Sequence, residues 1–183
     1  MPGLPQLERE RTLLLPAGSD STLMAGDAAT PRALADAGLR YKWLHFSGHA
    51  LRLRETAVLV AAPDGSSGLE DERRGLWGLQ PPRRLCSELV FFAACSTGWF
   101  HETETLAPSQ LADAAIAAGA RTAVAALWDV DSEATTELAS GFYATLRRGQ
   151  DAKSSLYEAA RLLRENPKYR HPYYWAAFVV FEA

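Results

Sequence analysis

Cysteine is nearly absent: the 183 residues hold two, Cys86 and Cys95. That is too few for a disulfide framework and too few for a zinc centre built on thiolates. Two reasons to keep a thiol remain, reactivity and service as a small apolar core residue. Long apolar runs are missing as well. No stretch approaches the roughly 20 residues that span a bilayer, and the first residues lack the extended apolar segment of a signal peptide. A cytoplasmic chain with no membrane partner is therefore expected. Excess charge of either sign is absent too, since 19 Lys and Arg against 22 Asp and Glu leave a net charge of -3. The basic pairs Arg73-Arg74, Arg83-Arg84 and Arg147-Arg148 are short and scattered, which argues against direct nucleic-acid binding. No internal repeat is visible and no linker divides the chain, so residues 1–183 are read as a single domain.

What is present is the composition of an ordinary packed protein, 48% hydrophobic and 22% charged. Short strand-like runs occur at Thr12 to Leu15, Trp43 to Phe46, Val58 to Ala62, Leu89 to Ala94, Thr122 to Leu127 and Ala177 to Phe181. Leu89-Val90-Phe91-Phe92-Ala93-Ala94 is apolar at every position, the habit of a parallel strand covered on both faces. Helical patterns lie between the runs. Thr30-Pro31 looks like an N-cap followed by proline at the first helical position, with Gly38 placed to end that helix. Leu106 to Ala118 is Ala-rich and stops at Gly119. From Ser132 to Arg148, Ala134, Leu138, Phe142 and Leu146 recur every four residues, and a last helix carries Leu156, Ala159, Ala160 and Leu163 on one face before Asn166-Pro167. Alternating strands and helices predict an α/β protein, a three-layer α/β/α sandwich with a mostly parallel central sheet. The polar stretch from Ala62 to Pro82 reads as an exposed loop or flap, or as a plain solvated connection.

Two residues could carry chemistry together. Cys95 follows directly on the run Leu89 to Ala94 and precedes Ser96-Thr97-Gly98. In open α/β sheets, sites form at the carboxyl ends of the strands. His49 stands just beyond the run Trp43 to Phe46, in a similar position. A thiol needs a neighbouring imidazole to deprotonate it and to return a proton to a leaving amine. His49 precedes Cys95 by 46 residues, close to the roughly 50 that separate the caspase histidine and cysteine.

Four blocks then carry a resemblance: Trp43-Leu44-His45-Phe46-Ser47-Gly48-His49; Leu89 through Ala94 with Cys95-Ser96-Thr97-Gly98; Ala118 through Leu127 with Trp128-Asp129-Val130-Asp131; and His171-Pro172-Tyr173-Tyr174-Trp175-Ala176-Ala177-Phe178. In this order they resemble the signature blocks of the CHAT family, caspase-like peptidase domains often joined to tetratricopeptide repeats. The resemblance runs from about Leu23 to the C-terminus, with residues 1–22 a shortened lead-in. It implies a caspase-like fold and a cysteine endopeptidase in which Cys95 is the nucleophile and His49 the general base and acid. The oxyanion would lie against the backbone N–H groups of Cys95 and Ala50, with Gly48 adjacent. The family usually has glycine where Ala50 stands. No cofactor or metal is needed for that reaction. The implied partners are a protein or peptide substrate and an activating protein such as a repeat protein, and bacterial defence or regulated cell death is the family's common setting. A caspase-like binding or scaffold module with weak or no turnover is the alternative.

Trp128, Asp129 and Asp131 follow the run Thr122 to Leu127, where caspase-like proteases place part of the wall for the residue before the scissile bond. Carboxylates there would favour a basic side chain. Asp131 or Ser132 could equally cap the following helix. His45, inside a strand pattern, and His101, in a polar run, are less well placed than His49. Cys86 is read as structural, and His171 as fixing the approach to the final strand, with Tyr173, Tyr174 and Trp175 packing there. An α/β-hydrolase is disfavoured, since no Gly-x-Ser-x-Gly elbow occurs and the histidine precedes the nucleophile.

Overall fold

The computed structural model describes residues 7–15, 20–25, 28–29, 31–53, 56–60, 84–94 and 110–183. Its elements run in the order α1 (Leu7–Leu14), α2 (Pro31–Arg40), β1 (Trp43–Ser47), β2 (His49–Leu53), β3 (Thr56–Val60), β4 (Leu89–Ala93), α3 (Gln110–Ala117), β5 (Thr122–Ala126), α4 (Ser132–Leu146), α5 (Ala152–Glu165), α6 (Pro172–Trp175) and β6 (Phe178–Glu182). Four strands form the central sheet in the order β1-β4-β5-β6. β1, β4 and β5 are parallel and β6 runs antiparallel to β5. The protein is thus a mixed α/β fold with a mostly parallel sheet flanked by helices.

β4 lies between β1 and β5, and all five of its residues are buried. Side chains alternate across a strand, and here the alternation separates two cores. Leu89, Phe91 and Ala93 join one face, where Leu14 of α1, Leu138, Phe142 and Tyr143 of α4, and Leu156, Ala159 and Leu163 of α5 pack. Val90, Phe92 and Ala94 join the other, with Ala37 of α2 and Leu111, Ala112 and Ala115 of α3. A continuous apolar run satisfies both faces only in an inner strand, so the sequence of β4 dictates its place. Burying each large apolar side chain contributes about 1.5–3 kcal/mol.

The connections are closely fitted. Leu85 donates its N–H to the Ala118 carbonyl at 2.7 Å, and Cys86 donates to the Gly38 carbonyl at 2.8 Å. These two bonds lace the segment before β4 to the helices on either side of it. The Asp131 carboxylate accepts the Ala134 N–H at 2.8 Å and caps α4, and Asp151 accepts from Ser154 at 2.8 Å and caps α5. Gly119 ends α3 with φ of 115°, and a Cβ there would lie 2.6 Å from the Leu85 carbonyl oxygen, so both conformation and space call for glycine.

Three expectations are corrected. Thr12 to Leu15 is not a strand, since Thr12, Leu13 and Leu14 complete α1. The flanking Glu8-Arg9-Glu10-Arg11 favours helix, and Glu10 and Leu14, four residues apart, are both buried. Gly38 does not end α2, which continues to Arg40; a Cβ there would meet the end of the Leu85 side chain. The run beginning at Val58 does not enter the central sheet. It belongs to β3, which pairs with β2 in a separate antiparallel hairpin.

Candidate active site

The site is built from the carboxyl ends of two adjacent strands. β1 and β4 pair in parallel from Trp43↔Leu89 to Ser47↔Ala93, so they end level with each other. One further contact extends the pairing, from the Gly48 N–H to the Ala93 carbonyl at 3.4 Å. His49 then opens β2, opposite Val60, and Ala50 follows opposite Leu59. Instead of standing in a loop beyond β1, the histidine is the first residue of the hairpin. Ala50 lies in extended strand, a conformation open to any residue with a Cβ, so alanine in place of glycine needs no positive φ. The Gly48 N–H faces the sheet and is already engaged there. Cys95, two residues beyond Ala93, lies outside the described residues, as do His101 and the stretch from Ala62 to Pro82.

β5, beside β4, ends at Ala126, and the next residues include Trp128, Asp129 and Asp131. The Trp128 indole N–H donates to the Tyr173 carbonyl at 3.0 Å, and its ring packs against the first core. Asp129 is exposed. Asp131 serves as the α4 cap. His171 caps α6, its Nδ1 accepting the Tyr173 N–H at 3.2 Å, and so orders the turn into β6. Cys86 has an exposed thiol; its structural part is its main chain.

Sequence reasoning missed a polar cluster beneath the end of β1. Glu10 of α1, only 5% exposed, receives a hydrogen bond from the Ser47 hydroxyl and lies 3.1 Å from His45 Nε2. His45 Nδ1 lies 3.1 Å from the Tyr143 hydroxyl. Since a carboxylate only accepts, Nε2 carries a proton. Burial alone would raise the Glu10 pKa, but the hydrogen bond and charge of His45, with the Ser47 hydrogen bond, hold it below the usual carboxylate range. Burial, and secondarily the Glu10 charge, pushes the Tyr143 phenol far upward, so it keeps its proton. His45 and Ser47 are two apart on β1 and therefore share a face, a visible signal. Their partner on α1 left no mark in the sequence, because the apolar run just after Glu10 suits a strand as well as a helix.

The sequence model of the CHAT domain matches residues 1–182, reaching well before Leu23. This chain belongs to the CHAT domain family. It is a caspase-like family. Among curated proteins, this CHAT domain is similar to tetratricopeptide repeat protein 28 of Mus musculus, 36% identical over 70 residues, covering 38% of this chain and 3% of that protein. The Homo sapiens protein of the same name is 33% identical over 70 residues, with the same coverage. The chain thus spans only about 3% of the length of these curated relatives. Among the described residues, no helix of the CHAT domain is long and apolar enough to cross a membrane.

Proposed function

We propose that this CHAT domain is a cysteine endopeptidase of caspase-like three-layer architecture, with Cys95 as nucleophile and His49 as its general base and acid. One observation carries the reading: Ser47 and Ala93 are paired neighbours at the ends of β1 and β4, and His49 and Cys95 each follow two residues later. Adjacent strands stand about 4.8 Å apart, which supports reading the two residues that follow as partners at one rim.

In this mechanism His49 takes the thiol proton, and the thiolate attacks the peptide carbonyl carbon. The carbonyl electrons move onto oxygen, held by the N–H groups of Cys95 and Ala50. Collapse of the intermediate breaks the C–N bond, and the imidazolium protonates the departing amine. Water, deprotonated by His49, then cleaves the thioester and restores the thiol. No metal or cofactor takes part. Trp128 and the carboxylate of Asp129 line the approach from β5 and favour a basic residue before the scissile bond. The relatives named for tetratricopeptide repeats make a repeat protein a reasonable activating partner.

The test is mass spectrometry of products from a peptide library. The wild-type chain yields defined products after basic residues, while Cys95→Ala and His49→Ala yield none and keep their thermal unfolding midpoints. An unchanged cleavage rate in either variant rejects the assignment.

A further inference from the structure

The cluster below β1 has a location that its contribution to stability does not account for. Buried charged groups exchanged for well-packed apolar ones often leave stability unchanged or improved, yet here a carboxylate, an imidazole and a phenol are assembled together. What such a cluster supplies is a fixed geometry. Its members come from three elements: Glu10 from α1, His45 and Ser47 from β1, Tyr143 from α4. The His45 ring also stacks on Phe91 of β4 at 5.1 Å between centroids. α1 is itself tied down, since Arg9 pairs with Glu133 and Glu137 of α4, and Arg147 donates to the Leu14 carbonyl at 2.7 Å. The Glu10 carboxylate therefore sits on a helix anchored at both ends, and it grips β1 at its third and fifth residues.

Ser47 is the last residue of β1, and only Gly48 separates it from His49. We propose that Glu10 is a positioning residue for His49: by holding Ser47 and His45 it fixes the main chain from which the catalytic imidazole projects. This rests on the reading of His49 as the partner of Cys95. Glu10 touches no reacting atom in this account, and its influence passes through Ser47. A glycine at 48 gives the junction no side chain of its own with which to hold its course, so the restraint comes from Ser47 on one side and the β2–β3 hairpin on the other.

The experiment reads the Cys95–His49 relation without needing a substrate. Alkylation of the intact chain by iodoacetamide is followed by mass spectrometry across pH, with the exposed Cys86 as internal reference. A thiolate paired with imidazole titrates below the free-cysteine value of about 8.5. In Ser47→Ala and Glu10→Ala, the Cys95 midpoint rises toward that value by about half a unit or more, while the Cys86 profile stays put. Glu10→Gln, of the same length and still able to accept from Ser47, recovers most of the wild-type midpoint. Unchanged Cys95 midpoints in both alanine variants, with only a lower unfolding temperature, overturn the inference; so does a Gln variant as shifted as the Ala variant. If Glu10→Ala does not fold, Ser47→Ala carries the test, because it removes a single hydroxyl. His49→Ala separates the two claims. If it raises the midpoint and Ser47→Ala does not, positioning by Glu10 fails alone; if it leaves the midpoint in place, the Cys95–His49 pairing fails and this inference with it.

Discussion

Replacing Phe91 by alanine tests the packing that supports the strand leading to Cys95. Phe91 is fully buried, and its ring centroid lies 5.1 Å from His45, 5.2 Å from Phe142, 5.5 Å from Phe178 and 5.9 Å from Tyr143. These neighbours belong to β1, α4 and β6, so no movement of one element can close the cavity. Removal of a buried phenylalanine costs about 3–5 kcal/mol, more where the site cannot collapse. The tilted and edge-on ring pairs, each contributing about 0.5–1.5 kcal/mol beyond area, are part of that cost. A loss of about 4 kcal/mol is therefore expected, equivalent to a fall of about 8–16 °C in Tm for a chain of this size. Phe91→Leu, which keeps most of the volume, should lose about 1.5 kcal/mol. Urea unfolding of both variants measures this, with Tyr157→Ala as reference, since Tyr157 is 72% exposed and its loss should stay within about 0.5 kcal/mol. A Phe91→Ala loss below about 1.5 kcal/mol, the range of an ordinary partly buried site, would refute the reasoning.

Gly119→Ala combines a disfavoured φ with a 2.6 Å approach to the Leu85 carbonyl, and should cost about 2–4 kcal/mol. Gly149→Ala has φ of 89° but nothing within 4 Å, and should cost only about 1–2 kcal/mol; equal losses in chemical denaturation would argue against the clash. The Glu10 pKa is depressed in the folded chain, so its ionisation contributes stability above the ordinary value of 4.5 that is lost as pH falls through the lower folded value. The difference in urea midpoint between wild type and Glu10→Gln should accordingly be steady from pH 7 to pH 5 and shrink below it; a gap that persists at pH 3 would show that ionisation is not what matters. Asp131→Ala removes the α4 cap and should lower stability by about 1 kcal/mol while leaving the preference for a basic residue before the cleaved bond unaltered. Loss of that preference in library cleavage would move Asp131 from helix cap to substrate wall.

The parallel core was legible because β4 is apolar at all five positions and the helices after it carry a clear 3.6-residue period and Asp caps. The failures share a physical cause, which is that local pattern is silent about tertiary fit. Leu13-Leu14-Leu15 suits a strand or a helix equally, and what decides for α1 is the burial of Glu10 against β1 and of Leu14 against the first core. Gly38 reads as a helix stop, yet α2 runs through it to Arg40, with the Leu85 side chain packed close against it. The β2–β3 hairpin was half missed, since His49-Ala50-Leu51-Arg52-Leu53 alternates weakly and lacks the β-branched residues that mark Val58 and Val60. At the site, the parity of His45 and Ser47 could be read from β1. The carboxylate that joins them arrives from a helix more than thirty residues earlier, and no periodicity announces such a meeting.

The most direct measurement is a crystal structure of the chain reacted with a peptide aldehyde ending in a basic residue. The account predicts a thiohemiacetal on Cys95 Sγ, an imidazole nitrogen of His49 within about 3–4 Å of that sulfur or of the departing-group position, and the adduct oxygen facing the N–H groups of Cys95 and Ala50. An unmodified Cys95 sealed in the interior, or a His49 ring turned to the far side of the hairpin, would contradict it.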